Sequence, residues 1–139
     1  MSRPTVIVDT NVVVAGLLTA HHTSPVARIL DGMLAAAFSF VLSEALLAEY
    51  HAVLVRTRVR KLHGLTVAEV ETILTDLAQN AIVLTPVVAP PAPDPGDHLL
   101  WDLLAARTDM LLVTGDKLLL QDAGMRGRVI SPQAFVDGN

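Results

Sequence analysis

Thr5-Val6-Ile7-Val8-Asp9-Thr10-Asn11 opens the ordered part of the reading, because it sets a β-branched apolar run directly against an ionisable residue. Thr5–Val8 reads as a short buried strand. Asp9 stands where that strand ends, and a carboxylate there is costly to desolvate unless it is paired, hydrogen-bonded or bound to a metal. Outward from this point the periodicity alternates. Ser24–Ala37 places Val26, Ile29, Leu30, Met33 and Leu34 at helical spacing, with Pro25 at a first-turn position that tolerates proline. Phe38–Leu42 reads as a second strand. Ser43 is a candidate N-cap for a helix to about Arg56, whose Leu46, Leu47, Tyr50, Val53 and Leu54 share a face. Thr66 and Glu69 form a capping-box pattern for a helix to about Gln79, and Ala81–Thr85 reads as a strand. Pro86–Pro95 holds five of the eight prolines and reads as an extended loop. Asp97–Arg107 reads as a helix, Met110–Thr114 as a strand, and Arg128–Ile130 as a short last strand. Strands separated by helices imply βαβ units. The expected fold is a single α/β domain over residues 1–139, a three-layer α/β/α sandwich with a mainly parallel sheet.

Composition narrows the classes. The chain has 139 residues, 52% of them hydrophobic but only 4% aromatic, which suits one aliphatic core. Cysteine is absent, so disulfides and thiolate metal sites are excluded, in keeping with a reducing compartment. The longest apolar stretches, Val12–Leu18 and Leu34–Leu42, fall short of the ~18–20 residues that span a bilayer. No signal-peptide pattern precedes the first strand, and a cytoplasmic location is expected. The formal charge of −4 argues against nucleic-acid binding, but four of the ten basic residues, Arg56, Arg58, Arg60 and Lys61, fall within six positions.

In parallel sheets ligands bind beyond the carboxyl ends of the strands. Asp9 follows the first strand and Asp116 follows Met110–Thr114 after Gly115, so both carboxylates are expected at one edge. Each also has a plainer reading, Asp9 as a helix N-cap and Asp116 as a turn residue. Asp97 could equally cap its helix, and Glu49 could be an ordinary exposed helical glutamate. Among the neighbouring acids, Asp94 reads as a loop residue, Glu44 as a favourable first-turn charge and Asp102 as solvent-facing. The order matters more than any one residue: Asp-Thr-Asn after the first strand, Ser43 with Glu49 six residues on, Asp97 at a late helix, and Thr114-Gly115-Asp116 ending nineteen residues after it.

That order resembles the PIN-domain ribonucleases along essentially the whole chain. The resemblance implies that Asp9, Glu49, Asp97 and Asp116 form the family's acidic quartet, with Thr10, Asn11, Ser43 and Thr114 at its supporting polar positions. It further implies hydrolysis of phosphodiester bonds in single-stranded RNA. Gathered carboxylates repel one another, and divalent cations relieve that repulsion. Oxygen-only ligands suit Mg²⁺ or Mn²⁺, which make a bound water more acidic and neutralise charge at a scissile phosphate. Asp9 and Asp116 are expected as the most direct ligands. The proline-rich approach to Asp97 and the pair Trp101-Asp102 depart from the family pattern. Within the family, the short single domain most resembles the toxin of a toxin–antitoxin pair, implying a homodimer neutralised by a small antitoxin.

The histidines compete poorly as a metal site. His21 and His22 read as loop residues, His51 lies on another helix face from Glu49, His63 belongs with the basic run, and only His98 neighbours an expected site residue. The run Arg56–Lys61 reads either as a solvated helix end or as an RNA-backbone patch. There is no Gly-x-Ser-x-Gly, Walker or Gly-x-Gly-x-x-Gly motif. Other functions remain open: a housekeeping RNA-processing nuclease, a non-catalytic PIN-fold binding module, or a phosphatase with Asp9 as nucleophile. The last usually wants a second aspartate two residues on, where this chain has Asn11.

Overall fold

In a computed structural model describing residues 4–84, 98–107, 109–121 and 128–138, the first apolar run becomes β1 (Val6–Val8), with all three side chains buried. The described elements that follow are α1 (Thr10–Leu18), α2 (Pro25–Leu34), β2 (Phe40–Leu42), α3 (Glu44–Leu54), α4 (Thr57–His63), α5 (Val67–Asn80) and β3 (Ile82–Val83). They continue with α6 (His98–Ala106), β4 (Leu111–Val113), α7 (Lys117–Leu120), β5 (Val129–Ile130) and α8 (Pro132–Asp137). The expected loop Pro86–Pro95 and Asp97 lie outside the described residues.

The local signals act as their chemistry requires. Ser24 accepts from the Ala27 amide with Pro25 in the first turn of α2, and Ser43 accepts from the Leu46 amide to start α3. Thr66 and Glu69 make both bonds of a capping box at α5. Several elements are shorter than expected: α2 ends at Leu34 rather than Ala37, β2 starts at Phe40 rather than Phe38, and two further differences change the outline. The helix expected to reach Arg56 stops at Leu54, with Val55 as its C-cap, and the chain restarts as α4. The strand expected over Ala81–Thr85 shrinks to Ile82–Val83, both exposed at the sheet edge.

The strand order is β3-β2-β1-β4-β5 and every pairing is parallel. Chain order runs outward from β1 to β3, then returns to β4 on the other side of β1. Right-handed crossovers therefore put α1–α5 on one face and α6 and α7 on the other. The packing agrees: α1 meets α2 and α3, α5 meets α2 and α3, and α6 covers β1 and β4. The result is an α/β/α sandwich with its core centred on Val6, Ile7 and Val8. Each fully buried Leu or Ile stabilises it by roughly 1.5–3 kcal/mol. No helix among the described residues is long and apolar enough to cross a membrane.

Two backbone details tighten this frame. A Cβ on Gly16 would come within 2.8 Å of the Val26 carbonyl and 2.9 Å of Leu30 Cβ, so α1 and α2 pack as closely as they do because that position has no side chain. At the end of α2, Ala37 N–H donates to Gly32 O (2.8 Å) and Ala36 N–H to Met33 O (3.3 Å), a Schellman motif with Ala36 at φ 53. That left-handed conformation costs an L-residue roughly 1–2 kcal/mol. Ala36→Gly should therefore stabilise the protein by about 1 kcal/mol after the entropy of the unfolded glycine is counted. A thermal melt checks this, and an unchanged or lower midpoint would contradict it.

The reversal of strand order creates a switch point between β1 and β4. The chain leaves β1 toward one face and β4 toward the other, opening a crevice at their carboxyl ends. Asp9 and Thr114-Gly115-Asp116 occupy those ends.

Candidate active site

Asp9 sits at the N-cap position of α1, yet its side chain makes no capping bond. Its carboxylate turns instead toward β4. Thr114 Oγ1 donates to Asp9 Oδ2 (2.7 Å), and Asn11 Nδ2 donates to the same oxygen (3.2 Å). Thr114 is completely buried and Asp9 is 7% exposed. The threonine hydroxyl also accepts from the Asp116 amide (3.0 Å) and from Asn11 Nδ2 (3.3 Å), using its donor and both lone pairs. Asn11 Oδ1 accepts from the Gly115 amide (3.2 Å). The Asp-Thr-Asn and Thr-Gly-Asp tripeptides are thus one hydrogen-bonded unit spanning two strand ends.

Thr10 faces the other way and donates through Oγ1 to Glu49 Oε2 on α3. Asp116, whose plainer reading is a turn residue, holds the N-cap of α7, its Oδ1 accepting from the Leu118 amide (2.9 Å), while its side chain also lines Asp9's cavity. Ser43 is buried as the cap of α3 and does not line that cavity. Asp97 and the His98 side chain lie outside the described residues.

Asp9, Glu49 and Asp116 line one cavity of about 460 Å³, together with Thr10, Asn11, Val14, Ala15, Leu18 and Val53. Among the described residues, no lysine, arginine or histidine lines it. Burial pushes the Asp9 carboxyl above the ordinary aspartate range; hydrogen bonds from Thr114 and the Thr10 backbone pull it back, and the charges of Glu49 and Asp116 push it up again. A larger cavity of about 680 Å³ lies between α3 and α5, lined by Leu47, Ala48, Leu74 and Ala78 together with Glu44, Thr75, Gln79 and the His51–Glu71 pair (3.3 Å). Its two carboxylates, Glu44 and Glu71, are not tied into a network like that of Asp9, Asn11 and Thr114, so the smaller cavity is the candidate site.

The remaining candidates fall elsewhere. His51 is held by Glu71 away from the acids, and His63 bridges the Leu54 carbonyl (2.9 Å) and the Leu65 amide (3.0 Å). The basic run lies on α4 rather than at the end of α3. Arg56 stands at α4's N-cap, the wrong pole for complementing a helix dipole, and only Arg60 and Lys61 reach its last turn. Arg56, Arg58 and Lys61 are exposed, whereas Arg60 is half-buried with an enclosed Nε that has no hydrogen-bond partner. α4 packs against α1 and α3, the two helices that wall the acidic cavity.

One residue of the site counts only as core in the apolar pattern of the sequence. Tyr50 is fully buried, and its hydroxyl donates to the Val8 carbonyl, one residue before Asp9. A signal for it exists: it is the single tyrosine of the chain, set beside Glu49 on an otherwise aliphatic helix face.

A protein-family model described as PIN domain matches residues 5–118. The chain belongs to the PIN-domain family. Members are generally nucleases and typically use divalent metal ions. The PIN match contains Asp9, Glu49, Asp97 and Asp116, and ends two residues past Asp116, before β5 and α8. No curated protein matches the chain significantly. Among the described residues, no three acidic or histidine side chains converge closely enough to form a ready-made metal cluster. The donor set nevertheless fits a hard cation: the PIN cavity offers carboxylate, hydroxyl and amide oxygens, with no side-chain cation among the described residues that line it.

Proposed function

We propose that this PIN-domain chain is a Mg²⁺- or Mn²⁺-dependent endoribonuclease, with residues 1–139 acting as one nuclease domain. The observation that carries the reading is the meeting of Asp9, Glu49 and Asp116 on one cavity at the switch point of the sheet. Asp9 and Asp116 would be the principal ligands, with Glu49 and Asp97 completing the set. A bound divalent cation would supply Lewis acidity toward water and the phosphodiester. The chain's own contribution is positional. Thr114 and Asn11 hold Asp9, the Leu118 amide holds Asp116, and Thr10 holds Glu49, so the carboxylates are fixed before any ligand arrives. Val14, Ala15, Leu18 and Val53 give the cavity an apolar wall beside the acids, suited to the sugar and base of a single strand. The test is cleavage of RNA with Mn²⁺, its loss in EDTA, and its loss in Asp9→Asn. Full cleavage in EDTA by protein cleared of contaminating nuclease would refute the reading.

The finer role we propose is that of a toxin in a toxin–antitoxin pair, working as a homodimer in the cytoplasm. An acidic pocket with an aliphatic wall suits a small antitoxin that presents a basic, amphipathic segment. Growth arrest on expression, relieved by Asp9→Asn, is expected; normal growth would favour a housekeeping RNA-processing nuclease.

The exposed cations of α4 supply a second expected result. Changing Arg56, Arg58 and Lys61 together to glutamine should weaken RNA binding. It should also flatten the dependence of binding on salt by roughly 0.7 in slope for each phosphate no longer neutralised. Arg60 is left intact because of its burial. An unchanged slope would make the run an ordinary solvated face.

A further inference from the structure

Asp9 is gripped from both sides by consecutive residues of one distant helix. Its predecessor Val8 gives its carbonyl to the Tyr50 hydroxyl, across 42 positions of sequence. Its successor Thr10 gives its hydroxyl to Glu49, across 39. The carbonyl is a particular one. Along β1, Thr5 O and Asp9 N bond to the β4 side while Val6 N bonds to Ser39 beside β2, so by alternation Val8 O points toward β2. Pairing of β1 with β2 runs through Val6↔Phe40 and Ile7↔Val41 and stops there. The tyrosine hydroxyl takes the acceptor that the ladder leaves over.

A phenylalanine would fill the same volume in a core built of aliphatic and phenyl side chains. Burying a hydroxyl adds a desolvation cost that only a bond recovers, so the hydroxyl is there for the bond. The bond joins α3 to β1 within one residue of both Glu49 and Asp9. Those two carboxylates repel each other, and the repulsion tends to drive α3 away from the end of β1. The Tyr50–Val8 bond resists that movement at the end of β1, beside the Thr10–Glu49 bond and the packing of α3 against α1 and α5.

Resting on the metal-site reading above, we propose that Tyr50 is a positioning residue whose hydroxyl, through the Val8 carbonyl, fixes the separation of Asp9 and Glu49 and thereby sets the affinity of the site for a divalent cation. It touches neither substrate nor cation. Its hydroxyl works as the outer-shell partners of metal sites do, whose loss typically weakens metal binding 10–100-fold.

The test is calorimetric titration of Mn²⁺ into the wild-type protein, Tyr50→Phe and Asn80→Ala. Asn80 bonds the Met33 and Leu34 carbonyls at the end of α2, away from the cavity, and its loss controls for a general fall in stability. The expected result is about 10-fold or greater weakening of Mn²⁺ binding in Tyr50→Phe. Asn80→Ala should melt lower while keeping the wild-type affinity. Wild-type affinity in Tyr50→Phe overturns the proposal and leaves the nuclease reading intact. Equal weakening in Asn80→Ala overturns it too, by showing that affinity merely follows stability. Failure of Tyr50→Phe to fold would show that the hydroxyl serves the fold rather than the site. Absence of Mn²⁺ binding by the wild type, with the protein folded, overturns the metal-site reading and the role of Tyr50 together.

Discussion

Asp9→Asn should lower RNA cleavage by at least about 100-fold, the loss usual when one fixed group that faces developing charge is removed. The substitution is nearly isosteric. Its amide oxygen still accepts from Thr114, so the network joining β1 to β4 survives and the fold is retained. What disappears is the charge that draws a cation. Asp116→Asn should have a similar effect, because Asn at that position can still cap α7 through the Leu118 amide. Cleavage assays on both variants, with circular dichroism to establish folding, check this. Wild-type rates in either folded variant would mean that the residue does not belong to the catalytic set.

In EDTA, the same Asp9→Asn change should raise the melting temperature at neutral pH. Burial, with help from Glu49 and Asp116, lifts the Asp9 carboxyl above its unfolded value. Between the unfolded and folded pKa values the native state binds the extra proton, so stability falls as pH rises through that window. Above it the ionised group carries its full penalty. Asparagine has none, and removing such a functional strain is commonly worth about 1 kcal/mol, or roughly 3–5 °C at this chain length. The gap between variant and wild type should shrink as pH falls through the window. Glu69 and Asp109, whose carboxyls are held low by Thr66 and Arg107, act in the opposite sense, but they are common to both proteins and cancel in the difference. Mn²⁺ should stabilise the wild type more than the variant. Equal melting temperatures across the pH range would show that Asp9 is not strained.

Reading the residues in order carries the fold a long way because its signals are local. Ser24-Pro25, Ser43 and Thr66-x-x-Glu69 each start a helix through bonds that span only three residues. The misses have physical causes as well. α4 begins at Arg56, which makes no capping bond, so nothing in the sequence separates it from α3. α8 escapes the pattern although Ser131-Pro132 repeats the start signal of α2, because the helix is only six residues long. In the site, a capping role for Asp9 cannot be dismissed from sequence, since what decides it is Thr114, more than a hundred residues away. Tyr50 is hidden for the same reason. Its apolar ring obeys the helical pattern, while its hydroxyl answers to Val8.

The central place of β1 in an all-parallel sheet also governs when the acidic centre can assemble. Parallel neighbours are never adjacent in sequence, so each pairing that completes the centre closes a long loop, and such topologies fold slowly. β1 leaves the ribosome first and then waits, pairing with β2 at Phe40 and with β4 only at Leu111. Asp9 and Thr114 are separated by 105 positions. A nascent chain therefore carries Asp9 through the synthesis of the next 105 residues without the partner that orients it. Until β4 has emerged and docked, the acidic centre cannot be complete, because Thr114 is not yet there to orient Asp9.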